Sequence, residues 1–144
     1  MSNRDDAPAD TSAMGNVYKD PDHDDMDALH AAIAADDTAH LYEMIIGAAL
    51  YDDDREAVEA ACIALSTHAD ENIRGNAILG FGHLARRFRS LKSESRAIVR
   101  RGLKDPSEYV RGHAYAAAGD LEMFLHGRLA KMVRRVLGMT HRRP

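Results

Sequence analysis

Asp70-Glu71-Asn72-Ile73-Arg74-Gly75-Asn76-Ala77 and Ser107-Glu108-Tyr109-Val110-Arg111-Gly112-His113-Ala114 are two versions of one pattern. Ile73 corresponds to Val110, and Arg, Gly and Ala follow in phase. Further on, Gly82 corresponds to Gly119 and Leu84 to Leu121, always at an offset of 37 residues. Self-similarity at a period of roughly 20 to 50 residues, built on helix–turn–helix units, signals an α-solenoid. Each helical pair is too small to bury its apolar face alone and needs neighbours. Gly75 and Gly112 each cost a helix about 1 kcal/mol relative to Ala. Their recurrence predicts close backbone packing at both, with Ala77, Gly80, Ala114 and Ala117 letting the second helices of each pair approach their neighbours.

Working outward, the apolar spacing and the breakers predict a chain of helices. A first helix runs from Asp25 to about Ala35 and presents Met26, Leu29 and Ile33. Asp36, Asp37 and Thr38 break it and open a second, to about Leu50, with Leu41, Ile45, Ala48 and Ala49 as its stripe. Asp53 and Glu56 have capping-box spacing at the start of a third, which carries Val58, Ala61, Cys62 and Leu65 and ends near His68. Asp70 starts a fourth, with Ile73, Ala77, Gly80, Phe81, Leu84 and Phe88 inward. Ser93 opens a fifth containing Ile98, Val99 and Leu103, and Asp105 and Pro106 end it. Ser107 caps a sixth, with Val110, Ala114, Ala117, Ala118, Leu121 and Leu125. Gly127 marks a break before a basic helix to about Leu137, capped by Gly138. No segment alternates with a period of two, so no strand is predicted. The expected organisation is a disordered acidic tail over 1–21, a helical repeat domain over 22–138 and a basic tail over 139–144.

Leu103-Lys104-Asp105-Pro106-Ser107-Glu108-Tyr109-Val110-Arg111, continuing to Ala114 and Leu121, resembles a HEAT repeat. The Asp-Pro turn followed by Val-Arg and an apolar stripe carries the likeness. The unit from Asp53 is similar but has Ala69 where the Pro would stand, and residues 24–50 lack both Asp-Pro and Val-Arg. The resemblance implies an all-α fold, a short solenoid of six or seven HEAT-like helices of the small bacterial single-domain type. In such proteins the repeated Arg, here Arg74 and Arg111, bonds to acids or carbonyls of adjacent turns. The fold implies little about function, because HEAT folds serve many purposes.

Charge is more telling than its total of −4. Residues 1–60 hold 16 acids against three bases, and residues 61–144 hold seven acids against 16 bases. The chain is dipolar and can offer one end to a partner of opposite charge. The single Cys62 has no internal disulfide partner, and the first residues show no signal-peptide run. No apolar stretch approaches the ~20 residues of a membrane helix. A cytoplasmic protein without a membrane span is expected.

Chemistry-bearing patterns are weak. The histidines contain no HExxH, and one Cys excludes CxxC. One HEAT-repeat metalloenzyme family holds two irons with His-Glu dyads, and no His here precedes a Glu. Cys62 falls on an apolar stripe, as a core residue does. Leu79-Gly80-Phe81-Gly82 lies within a helix and lacks the phosphate-loop signature. Arg86, Arg87, Arg89, Arg96, Arg100, Arg101 and Lys104 can attract phosphate, yet the acidic first half disfavours a long polyanion. No metal and no cofactor are expected.

The acidic runs exceed what capping needs, since one Asp per helix start suffices. The expected function is therefore non-catalytic protein binding, most concretely that of an immunity protein or antitoxin. Carboxylates Asp36, Asp37, Asp52, Asp53 and Asp54 would meet a basic, nuclease-type toxin built to hold phosphate. The alternative scaffold reading uses the second-helix surface: Asn76, His83, Arg87, His113 and Asp120. A HEAT-type lyase or nucleic-acid-binding protein is the remaining alternative.

Overall fold

The computed structural model describes residues 25–126. The predictions for 1–21, for the basic helix to Leu137 with its Gly138 cap, and for 139–144 fall outside the described residues. Six α-helices follow one another: α1 Met26–Ala35, α2 Thr38–Tyr51, α3 Arg55–Leu65, α4 Glu71–Phe88, α5 Ser93–Gly102 and α6 Glu108–Leu121. A π-helical turn, Glu122–His126, extends α6. The described residues contain no strand.

Local chemistry sets the boundaries. Asp25 caps α1 by accepting from the Ala28 N–H at 2.9 Å, and Asp70 and Ser107 cap α4 and α6 in the same way. At α3 the expected capping box is replaced by a simple cap: Asp54 accepts from the Ala57 N–H at 3.1 Å. The Asp53 carboxylate points instead to Arg87, at 3.2 Å. Asp36 ends α1 in the left-handed region at φ 51°, a conformation that Asp tolerates better than most residues. Asp37 precedes α2 but makes no side-chain cap; its carboxylate meets the ring of His40 at 2.9 Å instead.

The second helices of the pairs, α2, α4 and α6, pack side by side, with α4 between the other two. Their inner faces join those of α1, α3 and α5 in one core containing Leu29, Leu41, Ile45, Val58, Ile73, Phe81, Leu84 and Val110. Leu103 is 38% exposed, just past the end of α5 at Gly102. Phe88 is only partly buried, at the end of α4 beside the Arg87 guanidinium.

The glycines divide by position. A Cβ on Gly75 would meet the Tyr109 ring at 2.8 Å, and one on Gly82 would meet the Ala117 Cα at 3.1 Å. On α4, then, close approach is the reason for glycine. The expected equivalent at Gly112 does not hold: a Cβ there meets nothing within 4 Å. Gly112 lies on the outer side of α6, where no further described helix packs.

Repetition extends to the turns. Arg74 donates to the carbonyls of His68 (2.9 Å) and Ala69 (3.2 Å). Arg111 donates to those of Asp105 (2.8 Å) and Pro106 (3.0 Å), which lie 37 residues on. Arg74 also grips Asp105 with a two-point fork at 2.8 and 2.9 Å, locking one turn to the next. That hydrogen bond, helped by the Ser107 N–H and by the charges of Arg74 and Arg111, outweighs burial and holds the Asp105 carboxyl below its usual range. The expected role of the repeated Arg is thus present in both units.

Candidate binding surface

Few of the ten sequence-predicted partner residues form one surface. The acids fall into two groups at opposite ends of α2, whose 14 residues make a helix about 21 Å long. Asp36 and Asp37 sit at its start, on the edge formed by the turns within pairs. There Asp36 receives the His68 ring at 2.7 Å. The other nitrogen of that ring accepts from the Asp70 N–H, so the imidazole donates to Asp36 through Nε2. Asp52, Asp53 and Asp54 sit at the far end of α2. The Asp52 carboxylate accepts from the Asp54 N–H, and Asp53 reaches Arg87 at 3.2 Å while staying almost fully exposed.

The second-helix residues are largely committed internally. Asn76 is 8% exposed and lies among three helices, rather than standing on the open α4 surface. Its amide donates to the Tyr42 carbonyl at 2.8 Å and accepts from the Tyr109 hydroxyl at 2.6 Å, pinning α2, α4 and α6 together. Arg87 donates to the carbonyls of Ala49 and Asp52, both at 2.9 Å, and so closes the C-terminal end of α2. His113 stacks on Tyr109 with ring centroids 4.1 Å apart. His83 is half-buried between Arg86 and Asp120. Burial, then the Arg86 charge, pushes the His83 pKa down against an opposing pull from Asp120. Burial also lowers that of His113.

Between the two acidic groups lies what the sequence reading missed. A groove of about 980 Å³ runs along α1 and α2, with Asn76 at its floor. Ala28, Ala31 and Ala35 line one wall, and Ile46, Gly47 and Leu50 the other. Asp37 and Glu43 stand at its rim, and Tyr51 leads from it to Asp52. Tyr42 and Tyr51 are each about two-fifths exposed, at 39% and 42%. The signal was present as alanines at 28, 31 and 35, spaced three and four apart. These alanines lie beside the residues that α1 turns inward, so the spacing alone gave no sign that they would stay uncovered.

Conventional chemical centres are absent from the described residues. No group of three His, Cys, Asp or Glu side chains is placed to hold a metal ion. Cys62 is buried among core residues, and burial, with the Glu59 charge adding, pushes its thiol pKa well above the usual value, away from nucleophile chemistry. No described helix is long and apolar enough to cross a membrane. Glu59 is a fully buried carboxylate that the sequence reading did not single out. It receives Arg55 at 2.7 Å, the Lys92 N–H at 2.8 Å and the Ser95 hydroxyl at 2.5 Å. It thereby serves as the missing cap of α5, whose own flanking residue, Lys92, offers none. No family model matches the chain, and neither a curated protein nor a solved structure matches it.

Proposed function

We propose that the chain is a short α-solenoid of HEAT-like helical pairs and works as a non-catalytic protein-binding module, with the α1–α2 groove as its docking site. The side-by-side packing of α2, α4 and α6 and the Arg74 and Arg111 hydrogen bonds at the same offset support the solenoid reading. The observation that carries the functional reading is an apolar, alanine-walled groove with carboxylates at both ends of one helix. Such a site suits one apolar face of an amphipathic helix whose flanks are basic. The groove would hold the apolar side chains. Asp36, Asp37 and Glu43 at one end, and Asp52, Asp53 and Asp54 at the other, would steer the basic flanks. The most concrete version is an immunity protein or antitoxin that binds and blocks a basic, nuclease-type toxin in the cytoplasm. A generic scaffold that binds through the α4 and α6 surface is the second reading.

The test uses a fluorescein-labelled, helix-forming peptide of leucines and lysines as probe. Ala31 is exposed, so Ala31→Arg places a cation in the groove without disturbing the core. Wild type is expected to bind the probe one to one, more weakly as salt rises, and A31R to lose about tenfold or more in affinity. Equal binding by the two proteins would sink the groove reading.

A further inference from the structure

We propose that the outer side of α5 is a contact surface for the phosphate backbone of duplex nucleic acid, separate from the α1–α2 groove. The inner face of α5 buries Ser95, Ile98, Val99 and Gly102. Outside that face stand Arg96, Arg100 and Arg101, with Lys92 just before the helix and Lys104 shortly after it. Arg96 is half-buried and the other four are exposed. None of the five makes an ion pair among the described residues. Glu94 is the one acid on α5.

Arg96 marks this side of the helix as unfinished. Its Nε is the one buried side-chain nitrogen or oxygen without a hydrogen-bond partner among the described residues. A buried donor left unmade is costly, more so on a charged group. Arg74, Arg87 and Arg111 are each anchored on main-chain carbonyls. Arg96 has no such anchor, and swinging outward onto a phosphate oxygen would restore the missing bond.

The chemistry of the surface selects the partner. A protein partner needs an apolar centre inside the charged rim. Here the outer side offers only Ala97 and Leu103, and no aromatic ring. The lack of rings also disfavours single strands, whose bases stack on them. A row of cations without an apolar centre suits a regular polyanion. The ten residues of α5 make a rod about 15 Å long. Over that length a duplex presents several phosphates, about 3.4 Å apart along each strand. The acids of α1 and α2 do not prevent this contact, because α5 touches neither helix. A further helix lies between, which sets them about 10 Å or more away, against a screening length of about 8 Å at physiological salt. Contact through charge alone is independent of base sequence and steeply dependent on salt.

The experiment titrates a fluorescein-labelled DNA duplex of about 20 base pairs and mixed sequence with the full chain, between about 50 and about 200 mM salt, and reads anisotropy. Wild type is expected to bind in the micromolar range at the low end, with a log–log salt slope of about −4 to −5, from roughly 0.9 for each of the five cations. Combining Arg100→Gln, Arg101→Gln and Lys104→Gln removes three exposed cations that hold no ion pair. That variant should bind at least about tenfold more weakly at about 50 mM salt, with a slope flatter by about 2–3 and an unchanged melting temperature. Arg96→Gln alone should flatten the slope by about 1. Four results overturn the proposal. In the first, wild type does not bind the duplex at about 50 mM salt. In the second, the triple variant binds as tightly as wild type. In the third, R96Q keeps the full slope, which leaves the orphaned Nε unconnected with binding. In the fourth, polyglutamate of equal charge competes as well as unlabelled duplex, which means an acidic protein is the partner. Each of these leaves the groove reading standing, because its own test uses a different surface and a different probe.

Discussion

Gly75 and Gly112 occupy the same place in the repeat, and the space around them decides what each does. At Gly75 a Cβ would press on a Tyr109 ring whose hydroxyl is tied to Asn76, so the ring has little room to yield. Gly75→Ala is expected to cost about 1–3 kcal/mol through overpacking and loss of that hydrogen bond. Gly112→Ala meets nothing and is expected to gain about 0.5–1 kcal/mol from helix propensity alone. Urea denaturation of both variants reads the opposite signs directly. The 37-residue offset made both glycines legible in the sequence. It did not say which had a neighbour, because that depends on where the stack ends. Two histidines act at the same scale. The folded pKa values of His83 and His113 lie below the usual histidine value, so the unfolded chain takes up protons first as pH falls. Their contribution to stability is whole above the unfolded value of about 6.5 and shrinks as pH drops from there towards the folded values. Chemical denaturation between about pH 7.5 and about pH 5 should show stability falling as pH falls, with a slope that flattens in a double His83→Gln, His113→Gln variant.

Helices reveal where sequence reading is strong and where it stops. The starts and ends of all six agree with the expected breakers to within a few residues, because Asp, Ser and Asp-Pro act on the backbone beside them. Beyond the bonds of the repeated Arg, contacts made across the fold were not legible. Asn76 reads as a polar surface residue on α4, yet it is held by α2 on one side and α6 on the other. Glu59 reads as one more charge on an amphipathic helix, but it caps α5 from 33 residues away. Removing it strands the Lys92 N–H and the buried Ser95 hydroxyl together. Glu59→Ala is therefore expected to cost about 2–4 kcal/mol, and Glu59→Gln, which keeps an acceptor, about half as much. Thermal denaturation followed by circular dichroism distinguishes these from the near-neutral change expected at Glu56, whose side chain is mostly exposed.

At the scale of the molecule, the division of charge along the chain becomes a division in space among the described residues. Between Asp25 and Asp54 there is no Lys or Arg, and these residues build the α1–α2 end that contains the groove. The bases gather in α4, α5 and beyond, where Arg74, Arg87 and Arg111 spend much of their donor capacity on turns and helix ends. On the proposed reading, steering by charge would belong to the N-terminal end, while the repeated units would mainly hold the fold. The acidic runs pointed to that end from the sequence; the groove between them depended on which alanines the neighbouring helices left uncovered. The direct measurement is an amide chemical-shift titration of the full chain with the leucine–lysine peptide. A docking groove on α1 and α2 predicts that the largest shifts cluster at Ala28, Ala31, Gly47 and Leu50, with smaller ones at Asp37 and Asp53. A cluster at His83, His113 and Asp120 instead, with Ala31 and Gly47 unmoved, would contradict it and place binding on the α4 and α6 surface.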